Sequence, residues 1–309
     1  MVERTNQQQW PATGAQHEIA RGDARVVVAE LAGALRSFQR GEVQLTETYP
    51  DDSIPPAGAG ILLAPWPNRI ADGQWTFNGR QLQLDITEVA GNNAIHGLLR
   101  NTGYQLMSRS AAMVQLSAMI FPQHGYPFHA EHRATYELEE DRSLTVTQEL
   151  VNRSGVAIPF ALGAHPYLRI GNIPSEELTL KVNAATRLLT NDRKIPTGAG
   201  QVDGSFDLRE GRKVGGLELD TCFADLAFEQ GRCRHSLTAD DGRNVTLWMD
   251  EEFGYTQVFV TDQFPGRAKA VAMEPMTAPA NAFNSGDGLR WLEPAGTFRA
   301  SWGISADLG

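Results

Sequence analysis

Residues 133–152 read RATYELEEDRSLTVTQELVN. Apolar and polar residues alternate through Ala134, Tyr136 and Leu138, break at the polar turn Glu140-Asp141-Arg142, and alternate again through Leu144 and Val146. A period of two puts every second side chain on one face, as in a half-buried strand, and a short polar break between two such runs makes a hairpin. The pattern recurs. SLTADDGRNVTLWMD, 236–250, turns at Asp241-Gly242, and QWTFNGRQLQL, 74–84, turns at Asn78-Gly79, a dipeptide suited to the left-handed backbone of a two-residue hairpin loop. Further candidate strands lie at 25–31, 42–49, 177–184 and 297–305. Turn residues recur about every ten positions, the spacing of a sandwich or barrel. Helical patterning is scarce: APANAFNSG, 278–286, has room for one short helical turn. Strands do not alternate with amphipathic helices, so a parallel α/β sheet is not expected. No linker or short repeat divides the chain. The expectation is an all-β fold, one large antiparallel domain over residues 1–309, with few short helices.

The chain has 309 residues, 41% of them hydrophobic and 21% charged, with a formal net charge of −10. That balance fits a globular core. It argues against nucleic acid or an anionic membrane as partner, because both select basic surfaces. No apolar run approaches the roughly 20 residues that span a bilayer. Two cysteines, Cys222 and Cys233, make no disulfide framework. The opening MVERTNQQQWPATG lacks an apolar signal-peptide core. Together these features give the expectation of a cytoplasmic protein. Sequon matches at Asn152 and Asn244 carry no weight without a secretion signal. The sequence does not indicate an oligomeric state.

No Walker loop and no GxGxxG after a strand occurs, so no nucleotide cofactor is expected. HAEH, His129–His132, puts two histidines three apart, on opposite faces if the segment is a strand. With no third ligand at a suggestive spacing, no metal is expected. No GxSxG elbow occurs.

Four segments concentrate unusual residues between apolar stretches. In APWPNRIADG, 64–73, two prolines stiffen the approach to Asn68 and Arg69. The arginine is either a planar donor fork for a polar ligand or a structural bridge between loop carbonyls. In GNNAIHGLLRN, 91–101, His96 precedes Gly97, which permits close backbone or ligand approach. His96 taken alone reads more readily as a satisfied core histidine than as a catalyst. In FALGAHPYLRIG, 160–171, Pro166 pushes His165 toward an extended backbone, with Gly163, Gly171 and the more distant Gly155 around it. In AVAMEPMTAPANAFN, 270–284, Glu274 ends an apolar run before Pro275. A buried carboxylate is costly unless paired or functional, and burial raises its pKa toward the range of a general base. One glutamate and two histidines in such settings suggest proton transfer without metal or cofactor.

In order along the chain, these segments resemble the aldose 1-epimerase (mutarotase) family, of the galactose mutarotase-like superfamily. Asn68-Arg69-Ile70 with Gly73, Phe77 and Gly79 resembles the family's opening motif, and Asn93 through His96-Gly97 its "N...HG". Tyr126-Pro127-Phe128 followed by ATYEL, and His165-Pro166-Tyr167, resemble its middle motifs, with Leu168 where an aromatic is usual. ELDTCF, 218–223, and Glu274-Pro275 followed by Asn281-Ala282-Phe283-Asn284 and Leu292 complete the series. Where the family has Pro-Gly-Glu near its C-terminus this chain has Pro294-Ala295-Gly296-Thr297, a change expected to touch a turn rather than chemistry.

The resemblance implies a large antiparallel β-sandwich, or supersandwich, with an open sugar groove, and an isomerase that interconverts the anomers of a free aldose. It implies Glu274 as general base on the anomeric hydroxyl, His165 as general acid on the ring oxygen, and His96 as an assistant near either oxygen. Arg69 and Asp220, with Asn68 and Tyr167, would bind the sugar hydroxyls. Leu168 would reshape one groove wall, with Tyr167, Trp66 or Phe283 as replacement stacking faces. Two rivals accompany this reading. One is a hexose-6-phosphate epimerase, with Arg69 and Arg100 as part of a phosphate site. The other is a non-catalytic sugar-binding protein.

Overall fold

The structure, a computed structural model, describes residues 10–309. The first nine residues of the polar opening stretch lie outside the described residues. The hairpin that anchors the sequence reading is present as Ala130–Leu138 paired antiparallel with Leu144–Asn152, in register Leu138 to Leu144. Its inward residues Ala134, Tyr136, Leu138, Leu144 and Val146 are buried, while Glu137 is exposed. Fully burying one such side chain contributes about 1.5–3 kcal/mol, so this alternation fixes the register. Arg142 takes the left-handed position of the turn, at φ 68°. The hairpins at Asn78-Gly79 and Asp241-Gly242 also form where the turn residues place them.

Two large antiparallel sheets carry the fold. The ten-stranded sheet runs Gln105–Arg109, Met113–Ile120, Ala130–Leu138, Leu144–Asn152, Thr297–Asp307, Asn244–Asp250, Arg232–Thr238, Thr179–Val182 and Arg212–Lys213, with Phe228–Glu229 paired beside Arg232–Thr238. The eight-stranded sheet runs Pro196–Gln201, Ala184–Thr190, Asp220–Leu226, Tyr255–Thr261, Ala270–Met276, Gly163–Ala164 and Leu62–Leu63, with Tyr167–Leu168 paired beside Ala270–Met276. A separate four-stranded sheet spans Gln16–Arg21 to Val43–Gln44. The α-helix Ala282–Ser285 sits between left-handed Asn281 and Gly286, inside the segment read as one helical turn.

Two expected strands are shorter than their sequence runs. The run 42–49 pairs regularly only at Val43–Gln44. Beyond it the run changes partner: the Leu45 carbonyl accepts from Arg169 N–H at 2.9 Å and Glu47 N–H donates to the Tyr167 carbonyl at 3.0 Å, while the Glu47 carboxylate is buried between Arg169 and Arg267, at 3.2 and 2.9 Å. The run 177–184 breaks at Asn183, where the chain passes from the ten-stranded to the eight-stranded sheet. There the Asn183 N–H donates to His235 Nδ1 at 3.1 Å and its side-chain amide to the Arg234 carbonyl at 2.7 Å. The Pro294–Thr297 departure does fall in a turn, with the Gly296 N–H donating to the Glu293 carbonyl and Ala295 left-handed at φ 59°.

The two faces of the eight-stranded sheet have different tasks. Val258 pairs with Met273, and Val260 with Val271. These side chains join Phe223 and residues of the ten-stranded sheet, among them Tyr136, Val146 and Trp302, in one apolar cluster. The alternate residues face the other way: Gln257 opposite Glu274, and Phe259 opposite both Asp220 and Ala272. That second face is covered by Tyr49, Ala59, Tyr167 and Phe264. All seven residues of Ala270–Met276 are therefore buried, and Glu274 is buried with them.

Candidate active site

Glu274 and His165 reach the same point from neighbouring chain segments. Glu274 projects from the second face of the sheet. His165 lies between the short strands Gly163–Ala164 and Tyr167–Leu168, consistent with the extended backbone that Pro166 imposes. Its N–H donates to the Ile61 carbonyl at 3.0 Å, and its own carbonyl accepts from Gly60 N–H at 2.8 Å. Gly163 is needed for close approach, since a Cβ there would stand 2.9 Å from Pro67 Cβ and 3.0 Å from the Pro275 carbonyl oxygen. Gly155 has no such neighbour and plays no part in aiming the histidine. As a result His165 Nε2 lies 3.2 Å from Glu274 Oε1. Glu274 Oε2 and His165 Nδ1 are buried without a hydrogen-bond partner among the described residues.

The motifs around Arg69 and His96 form one ribbon. Arg69–Ala71 pairs with Asn93–Ile95, placing Arg69 opposite Ile95. Asn68 and His96, just beyond the ribbon, are both left-handed, at φ 54° and 64°. Such positions cost about 1–3 kcal/mol each for non-glycine residues and cluster at functional sites. They lock together: His96 N–H donates to the Asn68 carbonyl at 2.8 Å, and Asn68 N–H donates to His96 Nδ1 at 3.3 Å. With Nδ1 as acceptor, the neutral ring carries its proton on Nε2. Gly97 follows at φ 75°, where a Cβ would stand 2.1 Å from the Ala64 carbonyl oxygen, so only glycine fits. The C-terminal NAFN segment braces the ribbon. Asn281 Oδ1 accepts from Ala71 N–H at 3.1 Å, and Asn284 donates to the Gln74 carbonyl at 2.9 Å.

Arg69 bridges no loop carbonyls with its side chain. Its Nε donates to both oxygens of Glu88 at 3.0 and 2.9 Å, its second terminal nitrogen to Glu88 Oε1 at 2.8 Å, and its first to Asn68 Oδ1 at 3.2 Å. Asp220 Oδ2 stands 4.0 Å from the same guanidinium and 3.7 Å from Lys194 Nζ. Gln257 donates to Asp220 Oδ1 at 2.6 Å.

These groups line a cleft of about 200 Å³, formed by Ala57, Asn68, Arg69, Ile95, His96, His165, Asp220, Phe259, Gln263 and Glu274. Burial, then the Asp220 charge, holds the Glu274 carboxyl well above the usual range, and Arg69 opposes this. Burial pushes His165 down to about 4. His96 is driven well below its ordinary value by burial and then by neighbouring His165, Arg100 and Arg69. The 3.2 Å contact favours ionising both members of the Glu274–His165 pair and so works against both of their shifts. Burial thus favours the neutral form of each of the three groups, the protonated Glu274 carboxyl and the uncharged His165 and His96 rings.

Six of the seven residues singled out from sequence line this cleft. Tyr167 lies behind it, its ring stacked on His165 with centroids 5.2 Å apart and its hydroxyl donating to the Ala57 carbonyl at 3.3 Å. Leu168 is in the main core, so the missing aromatic leaves the cleft wall untouched. Trp66 and Phe283 pack edge-to-face on each other. The aromatic that faces the cleft is Phe259. Arg100 lines a different, smaller cleft that includes Trp66, Gly97 and Gln123. His132 is buried between the Tyr104 hydroxyl and Gln148, at 2.8 and 3.2 Å, while His129 stacks on Phe121. Sequence reading missed Glu88, Gln257, Phe259 and Gln263. For Gln257 and Phe259 a signal existed: they alternate with the buried Val258 and Val260 in the strand Tyr255–Thr261, so they face the other way.

A family model described as aldose 1-epimerase matches residues 16–305. The Escherichia coli (strain K12) protein YihR, itself uncharacterized, is 29% identical over 296 residues, 93% of this chain and 91% of that protein. Among solved structures, a galactose mutarotase-like protein from Clostridium acetobutylicum superposes with a TM-score of 0.83 at 19% identity, covering 94% of each chain. Galactose 1-epimerase from Lactobacillus acidophilus superposes with a TM-score of 0.81 at 18% identity, covering 97% of this chain and 96% of that one.

Proposed function

The chain belongs to the aldose 1-epimerase family, and from that premise we propose that it interconverts the α and β anomers of a free aldose such as glucose or galactose. The observation that carries this reading is the buried contact of His165 Nε2 with Glu274 Oε1 at 3.2 Å, in a cleft lined by further hydrogen-bonding groups. Opening an aldose ring requires one proton to leave the anomeric hydroxyl and one to reach the ring oxygen. A carboxylate and a protonated imidazole side by side meet both needs.

In this mechanism the reacting form of the pair has Glu274 ionised and His165 protonated. Glu274 takes the proton from the anomeric hydroxyl, the new carbonyl forms at C1, and the bond from C1 to the ring oxygen breaks. His165 delivers its proton to that oxygen. The aldehyde rotates about the C1–C2 bond and the ring closes on its other face with the two roles reversed. The pair ends each cycle with the single proton it began with. His96, neutral and protonated on Nε2, donates a hydrogen bond to the oxygen that gains charge. Arg69, held by Glu88, and Asp220, held by Gln257, orient the ring hydroxyls, with Asn68 beside them. Tyr167 acts indirectly, by bracing the His165 ring. Positioned acid and base groups of this kind contribute about 10²–10⁴-fold to rate.

A free sugar suits the charge balance better than a sugar phosphate. Among the described residues lining the cleft, Arg69 is the one arginine or lysine, and Glu88 already engages it. Asp220 and Glu274 would both repel a phosphate. Polarimetry on freshly dissolved α-D-glucose, α-D-galactose and glucose 6-phosphate tests the reading. It expects faster loss of optical rotation with the free sugars. Strong preference for the phosphate would overturn it, and binding without acceleration would indicate a sugar-binding protein.

A further inference from the structure

Arg69 and Asp220 can orient one sugar ring together only if their separation is fixed, yet they belong to different sheets. Arg69 stands in the two-stranded ribbon with Asn93–Ile95, and Asp220 begins a strand of the eight-stranded sheet. The hairpin of Ala184–Thr190 and Pro196–Gln201 joins the two. Its first strand pairs with Asp220–Leu226, with Arg187 opposite Phe223. Its tip reaches the ribbon through Arg193.

The tip is set locally. Asn191 Oδ1 accepts from Arg193 N–H at 3.0 Å and from Ile195 N–H at 3.1 Å, and Lys194 between them is left-handed at φ 61°. An asparagine that binds the backbone two residues on holds such a turn by itself. Arg193 is thereby presented to residues 91–93. Its Nε donates to the Gly91 carbonyl at 2.8 Å. One terminal nitrogen lies within hydrogen-bond distance of three acceptors: Asp72 Oδ1 at 2.9 Å, the Asn92 carbonyl at 3.0 Å and Asn93 Oδ1 at 3.2 Å.

From Asn93 a path runs on to Arg69. Asn93 is fully buried, and its Nδ2 donates to Glu88 Oε2 at 2.7 Å. Glu88 in turn accepts three of the four hydrogen bonds that the Arg69 guanidinium makes. Gly91 leaves room for this arrangement, since a Cβ there would stand 2.6 Å from Asn93 Nδ2 and 2.7 Å from Glu88 Oε2. An amide that accepts at one end and donates at the other has its orientation fixed from both sides. The contact with Asp72 is a side branch that ends at a partly exposed carboxylate.

We infer that Arg193 is a positioning residue for the aldose: through Asn93 and Glu88 it holds the Arg69 guanidinium in place beside Asp220. The inference rests on the epimerase reading and adds to it a residue that touches neither the sugar nor the reacting atoms.

The test measures kcat and KM for anomer exchange of glucose and galactose in wild-type protein, Arg193→Ala, Glu88→Ala, the double variant of these two, and Asp72→Asn. Arg193 and Asp72 are both partly exposed, so their variants are expected to fold. In Arg193→Ala, KM should rise about three- to tenfold, the effect of one ordinary hydrogen bond, with kcat changed by less than about twofold. Asp72→Asn keeps the Oδ1 acceptor and should leave KM within about twofold of wild type. The double variant should have the KM of Glu88→Ala alone, because Arg193 then has nothing to act through. An unchanged KM in Arg193→Ala, factors that multiply in the double variant, or an equal rise in Asp72→Asn would each overturn the relay while leaving the epimerase reading intact. If wild-type protein accelerates neither sugar, the epimerase reading itself fails. Hydrogen exchange of the Arg69 Nε proton, followed by NMR, then decides the relay alone. Faster exchange in Arg193→Ala than in wild type supports it, and an unchanged rate removes it.

Discussion

His165 Nε2 lies 3.2 Å from Glu274 Oε1, with each side chain no more than 5% exposed. Two titratable groups are thus held together in a setting that penalises charge on either. Separately, burial neutralises a carboxyl by raising its pKa and an imidazole by lowering its pKa. In the proposed mechanism the two share one proton, which moves between the sugar and the pair as the ring opens and closes.

The first prediction is the pH profile of kcat/KM. Below about 4 the pair gains a second proton on His165, and no base is left for the anomeric hydroxyl. On the alkaline side the pair loses its only proton, at a pH set by the raised Glu274 value, and no acid is left. The profile should therefore be bell-shaped, with its acid limb near 4. An acid limb at the ordinary histidine value near 6.5 would show that His165 titrates as if unburied.

Glu88 touches the proposed chemistry only through Arg69, which makes it a positioning residue. Glu88→Gln removes a charged acceptor that takes three hydrogen bonds from the guanidinium. Hydrogen bonds to charged groups contribute about 1.5–3 kcal/mol, so KM for the aldose should rise about tenfold or more, with a smaller fall in kcat. Steady-state kinetics check this split. An unchanged KM would mean that Arg69 does not orient the sugar.

Glu47 joins chain segments far apart in sequence. It is buried against Arg169 and Arg267, and Arg267 belongs to the same loop as Gln263, which lines the cleft, and Phe264, which packs on Tyr167. Glu47→Gln strands the buried Arg169 charge. The expected loss is about 3–5 kcal/mol of unfolding free energy, the usual effect of breaking a buried pair. Chemical denaturation measures it, and a loss under 1 kcal/mol would show that solvent compensates the arginines.

Stability should also depend on pH through histidines outside the site. His132 and His235 are both buried and held near 4, against an ordinary value of 6.5, chiefly by burial. Between those values the unfolded chain binds more protons than the folded one, so stability rises with pH across the window. It is present in full above 6.5 and is lost as pH falls toward 4. Each histidine accounts for roughly 3 kcal/mol of this at most. Denaturation midpoints at pH 7 and 4.5 should differ accordingly, and His132→Gln should flatten the dependence.

Much of this architecture was legible in the sequence, because its signals are local. Asn78-Gly79, Asp241-Gly242 and the alternation through Tyr136 and Val146 fix hairpins without reference to the rest of the chain. The same holds for His165 before Pro166 and for Glu274 at the end of an apolar run. The companions of Arg69 and Asp220 were not legible, because their roles arise only on folding. Glu88 looks like any polar loop residue until Arg69 is laid beside it, and Gln257 until Asp220 is paired two strands from Glu274. Tyr167 follows the cleft-lining His165 by two positions, but its ring turns behind the imidazole. Leu168 stands at a family aromatic position, yet it faces the core. A motif records which residues recur together, whereas the direction of each side chain is set by the sheet.

The central claim is most directly tested by exchange NMR on the anomeric protons of glucose and galactose at equilibrium, with wild-type, Glu274→Gln and His165→Asn proteins. The account predicts cross-peaks between the α and β H1 signals with wild-type protein, reduced about 10²-fold or more in each variant, with the sugars still bound. Wild-type cross-peaks no stronger than in buffer, or undiminished exchange in Glu274→Gln, would contradict it.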